Sequence, residues 1–195
     1  MIPTAKGVLE KLVDSGPVHL DALPERPGIY ALWDHTGEIR YMGSTPKSEH
    51  GLRKRVGKHI SGSEGYSHKY SHAYCTGRMW RSSKKLHPAV AQQHDADAKE
   101  AKRLRNAVIR AECRATYVEV PRELVHGDYF RVLTDLEHAT QSIAPASMRR
   151  WEKTFPPLDE PVEIVERVID QIGADRDRLE RQRRLYKLFA KVGNS

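Results

Sequence analysis

The sequence predicts an α+β fold: a small, mainly antiparallel sheet of three strands flanked by helices, with a C-terminal helical extension. Three observations predict it. Two short apolar runs, Gly28–Trp33 and Glu38–Met42, flank Asp34-His-Thr-Gly37, which has the composition of a hairpin turn. A third run, Cys113–Val120, is β-branched and aromatic and stops at Pro121. The segments around these runs carry apolar residues at helical spacing.

Taken in order, residues 3–14 place Val8, Leu9, Leu12 and Val13 on one face of a short helix, and Ser15-Gly-Pro17 stops it. Residues 18–28 read as a linker punctuated by Pro24 and Pro27. In the hairpin, a two-residue turn centred on His35 and Thr36 sets Tyr30 directly opposite Tyr41; one extra loop residue shifts the register and separates the rings. A helix over about 49–60 follows, with Leu52, Val56 and Ile60 as its stripe and Arg55 and His59 four apart beside it. Residues 61–87 are the least regular stretch, and 88–111 read as a helix. A helix from about Asp128 to Ile143 carries Phe130, Leu133, Leu136 and Ile143, and Glu137 falls with that stripe. Pro156, Pro157 and Pro161 mark a joint before two amphipathic helices, Val162–Ile172 and Ala174–Val192. The expected division is an N-terminal helical arm over 1–21, a core over 22–155 with a basic insertion at about 61–111, and a helical extension over 156–195.

The chain has 195 residues, 38% of them apolar and 30% charged, which suffices for a core and argues against wholesale disorder. Lys and Arg total 33 against 26 Asp and Glu, a formal charge of +7 that suits a polyanion, nucleic acid foremost. Two Cys, Cys75 and Cys113, exclude a disulfide scaffold and are expected to be reduced. No apolar run reaches the length of a membrane span, and Lys6, Glu10 and Lys11 interrupt the N-terminal stretch, so neither a membrane partner nor a signal peptide is expected and the protein is expected in the cytoplasm.

Four pieces of sequence then occur in order: Pro27-Gly-Ile-Tyr30-Ala-Leu32, Arg40-Tyr41-Met-Gly-Ser-Thr45, Leu52-Arg-Lys-Arg55-Val-Gly-Lys-His59, and Glu137 on a helix after the third strand. Together they resemble the GIY-YIG nuclease family over roughly residues 22–150, with Met42 where Ile or Val is usual. The resemblance implies a catalytic set of Tyr30, Tyr41, Arg55, His59 and Glu137, with Glu137 holding the metal. It implies one Mg²⁺ per site, for which Mn²⁺ can substitute, and double-stranded DNA as substrate. The chain is a core with an insertion and a tail and no separate DNA-reading module, most similar to the stand-alone type II restriction endonucleases of the family, which often act as homodimers. One departure is the Asn that the family keeps after the Glu. Here the region reads Pro145-Ala-Ser-Met-Arg-Arg150, where Ser147 or Arg149 is the available substitute.

The residue types also make chemical sense without the resemblance. Phosphodiester hydrolysis needs an activated water, neutralised phosphoryl oxygens and a stabilised leaving group. A single carboxylate can hold one Mg²⁺ that keeps waters and takes phosphate oxygens, which argues against a two-metal clamp. Arg55 can fork onto phosphate oxygens. A phenol, ordinarily near a pKa of about 10, needs a cation nearby to act as base; Tyr30 or Tyr41 takes that role, with His59 sharing or relaying the proton. Plain structural readings stand beside these. Tyr30 and Tyr41 fit a cross-strand packing pair, Arg55 and His59 a solvated helix face, and Glu137 an ion pair with Arg131 or Arg149.

Between Gly51 and Leu86 there are nine Lys or Arg and one acid, interleaved with Tyr66, Tyr70, Tyr74 and Trp80. The stretch fits a surface that tracks a nucleic-acid backbone with rings free to stack, or else an insertion whose aromatics form a core. Lys47, Arg53, Lys54, Lys58, Lys69, Arg78 and Arg81 are the candidate phosphate contacts. His68, His72 and Cys75 invite a zinc reading but lack a second tight ligand pair. Restriction is the leading function; a structure-specific nuclease of repair or mobile DNA, and a non-catalytic nucleic-acid-binding module on the same scaffold, are the alternatives.

Overall fold

A computed structural model describes residues 2–45, 51–61, 69–81, 95–152 and 158–192. In chain order the elements are α1 (Ala5–Asp14), β1 (Val18–His19), β2 (Gly28–Trp33), β3 (Ile39–Ser44), α2 (Gly51–Ser61), α3 (Lys69–Ala73), α4 (Asp95–Glu112), β4 (Arg114–Glu119), α5 (Tyr129–Ile143), α6 (Val162–Ile172) and α7 (Arg176–Val192). They fall into two compact units: residues 1–59 with 112–153, and residues 60–111 with 154–195. Among the described residues no helix is long and apolar enough to cross a membrane.

The first unit is built on a four-stranded antiparallel sheet in the order β1-β4-β2-β3. The α+β class and the antiparallel pairing agree with the sequence, whereas the strand count exceeds the expected three by one. The additional strand, β1, pairs Val18 with Ala115 and His19 with Arg114, inside the segment that reads as a linker. Two residues are too few to show an alternation of apolar and polar positions.

The hairpin between β2 and β3 departs from the simple register for a physical reason. Asp34 Oδ1 accepts from the Thr36 N–H at 2.8 Å, the Thr36 hydroxyl at 2.6 Å and the Glu38 N–H at 3.1 Å, while Oδ2 accepts from Arg40 Nε at 2.8 Å. Gly37 turns the chain at φ 80°, and the Asp34 N–H donates to the Glu38 carbonyl, so the loop holds three residues rather than two. A bulge then adds a second extra residue, because Leu32 pairs with Tyr41 but Trp33 pairs with Ile39. Side chains alternate with a period of two, so the two insertions together restore the facing that either alone would reverse. Tyr30 pairs with Gly43 instead of Tyr41, and the two tyrosines share a face as diagonal neighbours.

Alternation along β2 sorts its side chains between two layers. Ile29 and Ala31, with Met42 and Val118, pack against Val8 and Leu12 of α1 and Leu133 and Leu136 of α5. Tyr30 points the other way, toward His59 of α2. A central strand covered on both faces has no solvated side, which is why Gly28–Leu32 is apolar throughout. Asp128 caps α5 by accepting from the N–H groups of Phe130 and Arg131, fixing where that helix begins and so the height of Glu137.

The second unit contains α3, α4, α6 and α7. The segment expected as a basic insertion and the one expected as a C-terminal extension are parts of this same unit. Its aromatics are core rather than stacking platforms. Tyr70 and Tyr74 are fully buried with ring centroids 6.0 Å apart, and Trp80 packs on Tyr186 and Phe189 of α7. Helix α4 is described from Asp95 onward, and the expected helical residues 88–94 lie outside the described residues, as do Tyr66 and His68.

Candidate active site

Five side chains singled out in the sequence come from four elements of the first unit: Tyr30 on β2, Tyr41 on β3, Arg55 and His59 on α2, and Glu137 on α5. The Tyr30 hydroxyl lies 2.7 Å from His59 Nε2. The Tyr41 ring centroid lies 6.3 Å from that of Tyr30 and 4.9 Å from that of His59. Arg55 acts on the Tyr30 phenol electrostatically. The two phenols and the imidazole therefore meet on the α2 face of the sheet, and the Arg55 guanidinium acts on Tyr30 there. His59 is buried, so it does not belong to a solvated helix face.

This meeting depends on Gly43. A Cβ built there lies 2.6 Å from Tyr30 Oη, 2.8 Å from Tyr30 Cζ and 3.0 Å from Tyr41 Cε1, closer than side chains tolerate. The Tyr30 ring lies across the backbone of its own pairing partner, and only a residue without a side chain leaves it room.

Burial, more than anything else, pushes the Tyr30 phenol well above its ordinary range. The neighbouring Tyr41 adds to the rise, as does Glu137, while Arg55 opposes it. A phenol in that state keeps its proton, and its O–H can donate to His59 Nε2 when the ring carries its own proton on Nδ1. That Glu137 acts on Tyr30 at all places the carboxylate within electrostatic reach of the cluster.

Glu137 reaches the site around β3, the edge strand. Its Oε2 accepts from the Ser44 hydroxyl, and its Oε1 accepts from Gln141 Nε2 at 3.1 Å. Gln141 Nε2 also donates to the Met42 carbonyl at 3.1 Å, which ties α5 to β3 at this point. Both partners of the carboxylate are neutral. Arg131 pairs with Asp135 instead, and Arg149 Nε is buried without an acceptor among the described residues, so neither of the arginines suggested by the sequence neutralises Glu137. One half-buried carboxylate oriented by neutral donors fits a hard divalent ion that retains most of its waters. Among the described residues no group of three or more His, Cys, Asp or Glu gathers at one point.

The sequence reading missed Ser44, Gln141 and Gly43. Gln141 stands four residues after Glu137 on one helix, and that spacing is the signal that could have found it. Ser44 donates to the carboxylate, and neither Ser147 nor Arg149 is among its partners.

The candidate phosphate contacts divide. Lys54, Lys58 and Lys69 are exposed. Arg53 is exposed but donates to the Leu23 carbonyl at 2.8 Å and lies 3.5 Å from Glu25. Arg81 is half-buried, and Lys47 lies outside the described residues. Arg78 is corrected: it is buried, its backbone N–H and Nε bond to Glu160 at 2.8 and 2.6 Å, and it also pairs with Glu166. Its charge is neutralised inside the second unit and is not offered to a ligand. Comparison with family models, with curated proteins and with solved structures gives no match.

Proposed function

We propose that this protein is a Mg²⁺-dependent endonuclease that hydrolyses phosphodiester bonds of double-stranded DNA, site-specific in the manner of a restriction enzyme. The observation that carries the reading is the phenol–imidazole–guanidinium cluster beside one carboxylate held by neutral donors. Packing alone does not require a buried imidazole bonded to a buried phenol beside a guanidinium.

The geometry supports a definite division of labour. Tyr30 is the phenol whose proton has a destination, since its hydroxyl lies 2.7 Å from His59 Nε2, which accepts when the ring proton is on Nδ1. As the phenol oxygen takes a proton from the attacking water, its own proton passes to His59, and no free phenolate accumulates. This concerted relay is how a phenol with a raised pKa serves as a base. Arg55 Nε is buried without an acceptor among the described residues and is a donor available to a phosphoryl oxygen as it gains charge. Tyr41, half-buried and packed on both Tyr30 and His59, holds the relay in line. Glu137 would hold Mg²⁺, which when bound withdraws charge from the phosphoryl and leaving-group oxygens.

The basic surface of the first unit fits the same substrate, since Lys54 and Lys58 are exposed on the helix that carries Arg55 and His59. The test is digestion of a mixed set of plasmid, branched and single-stranded DNA with Mg²⁺ or Mn²⁺, followed by end sequencing. Cuts at one discrete duplex sequence are expected, symmetric about a palindrome if two copies act together. Cuts confined to branched substrates transfer the reading to a repair or mobile-element nuclease. Binding without any cleavage replaces it with a non-catalytic module.

A further inference from the structure

The least explained side chain in the molecule lies in the second unit. Arg105 of α4 has no exposed surface, and its Nε, Nη1 and Nη2 are all without a hydrogen-bond partner among the described residues. A guanidinium cannot shed its charge, and a buried unpaired ion costs several kcal/mol, on the order of the stability of a whole domain. Two carboxylates on the same helix are engaged elsewhere. Asp97 is held in a two-pronged pair by Arg181 at 2.8 and 2.9 Å, and Glu100 bonds to Arg103 and to the Asp175 N–H, each at 2.9 Å.

The groups around Arg105 are basic as well. Lys102 stands one helical turn away on α4, and His72 of α3 and Arg81 complete the group, all three half-buried. Arg81 is fixed through its backbone, whose N–H and carbonyl both bond to Cys75 Sγ at 3.2 Å. Burial first, and then the charges of Arg81 and Arg105, hold the Lys102 ammonium below its usual range. Burial and then Arg105 do the same to the His72 imidazole. Lys102 and Arg81 thus add positive charge beside Arg105 rather than neutralise it.

We propose that Arg105, Lys102, Arg81 and His72 form a binding pocket for a phosphate group, with the buried guanidinium of Arg105 forking onto two of its oxygens. A tetrahedral oxyanion supplies the acceptors that the fork lacks and offsets all the neighbouring charges at once. The pocket stands on the cluster itself; its assignment to a DNA phosphate rests on the endonuclease reading.

The experiment follows thermal unfolding of the full chain in inorganic phosphate and in chloride at equal ionic strength, with phosphate affinity by calorimetry and duplex affinity at several salt concentrations. Phosphate is expected to raise the wild-type Tm by about 4 °C or more at saturating concentration, and chloride is not. Arg105→Met is expected to lose the phosphate response and, in phosphate-free buffer, to melt at or above the wild-type temperature, because an apolar side chain replaces an unpaired charge. Lys102→Gln, at a half-exposed position, is expected to weaken phosphate binding by about tenfold without a change of fold. If both variants also weaken duplex binding and lower its salt slope by about one, the phosphate is that of DNA. If duplex binding is unchanged, the pocket takes free phosphate. Equal stabilisation by chloride and phosphate, or a phosphate response that survives in Arg105→Met, overturns the pocket. Plasmid nicking by Glu137→Ala reports on the first unit alone, so failure of the cleavage chemistry is distinguishable from failure of the pocket.

Discussion

Gly43→Ala places the candidate active site under the most direct mechanical test. The added Cβ falls 2.6 Å from Tyr30 Oη, roughly 0.8 Å short of ordinary contact at 3.4 Å. Tyr30 is fully buried, so its ring has no solvent-filled space to enter. Displacing the hydroxyl by that amount stretches its 2.7 Å bond to His59 to the edge of hydrogen bonding. Overpacking of this kind costs about 1–3 kcal/mol, and losing the relay costs about 10²–10⁴ in rate. The assay is single-turnover nicking of supercoiled plasmid with Mg²⁺, alongside a thermal melt. Gly57→Ala is the control. It lies on α2 with nothing within 4 Å of the added Cβ, and it is expected to stabilise by about 0.4–1 kcal/mol with the rate unchanged. A folded Gly43→Ala protein that nicks at the wild-type rate would refute the reasoning, as would equal losses in the two variants.

Three further outcomes follow from particular contacts. Arg78→Met leaves the Glu160 side chain, 9% exposed, without its cation, and is expected to destabilise by about 3–5 kcal/mol in a denaturant melt while leaving the salt slope of DNA binding unchanged. For Asp34, burial alone would raise the carboxyl, but the hydrogen bonds from Thr36, Arg40 and the Glu38 N–H outweigh it, so the folded pKa lies below the ordinary value. Its contribution to stability is therefore complete above the unfolded pKa of about 4 and is lost as pH falls through the lower folded value. Asp34→Asn is expected to flatten the stability profile below about pH 4. Duplex binding by the wild type is expected to weaken steeply between low and physiological salt, because exposed lysines such as Lys54 and Lys58 release counterions from phosphates; a flat dependence in a filter-binding titration contradicts that role.

The site residues could be read in the sequence because each belongs to a short local pattern: a tyrosine on each of two neighbouring strands, an arginine and histidine one helical turn apart, and an acid on an apolar stripe. What could not be read depended on distance along the chain or on counting through a turn. The Tyr30–Gly43 pairing required both the three-residue loop and the bulge at Leu32, and composition announces neither. Arg78 looks like a free cation among basic neighbours, since the acids that bind it lie beyond residue 158. Tyr70, Tyr74 and Trp80 look like a stacking surface for the same reason, because the residues that bury Trp80 lie on α7. Arg105 gave no signal at all; a basic residue in a basic helix becomes conspicuous only once its burial is known.

The account rests on Glu137 acting as the cation-holding carboxylate beside the Tyr30–His59 relay. Its most direct measurement is Glu137→Gln, which keeps the volume but removes the charge, assayed for Mg²⁺-dependent plasmid nicking and for duplex affinity in the same samples. The account predicts a loss of nicking of about a thousandfold with duplex affinity within about threefold of wild type. Nicking at the wild-type rate, or a loss of cleavage that merely tracks a loss of binding, contradicts it.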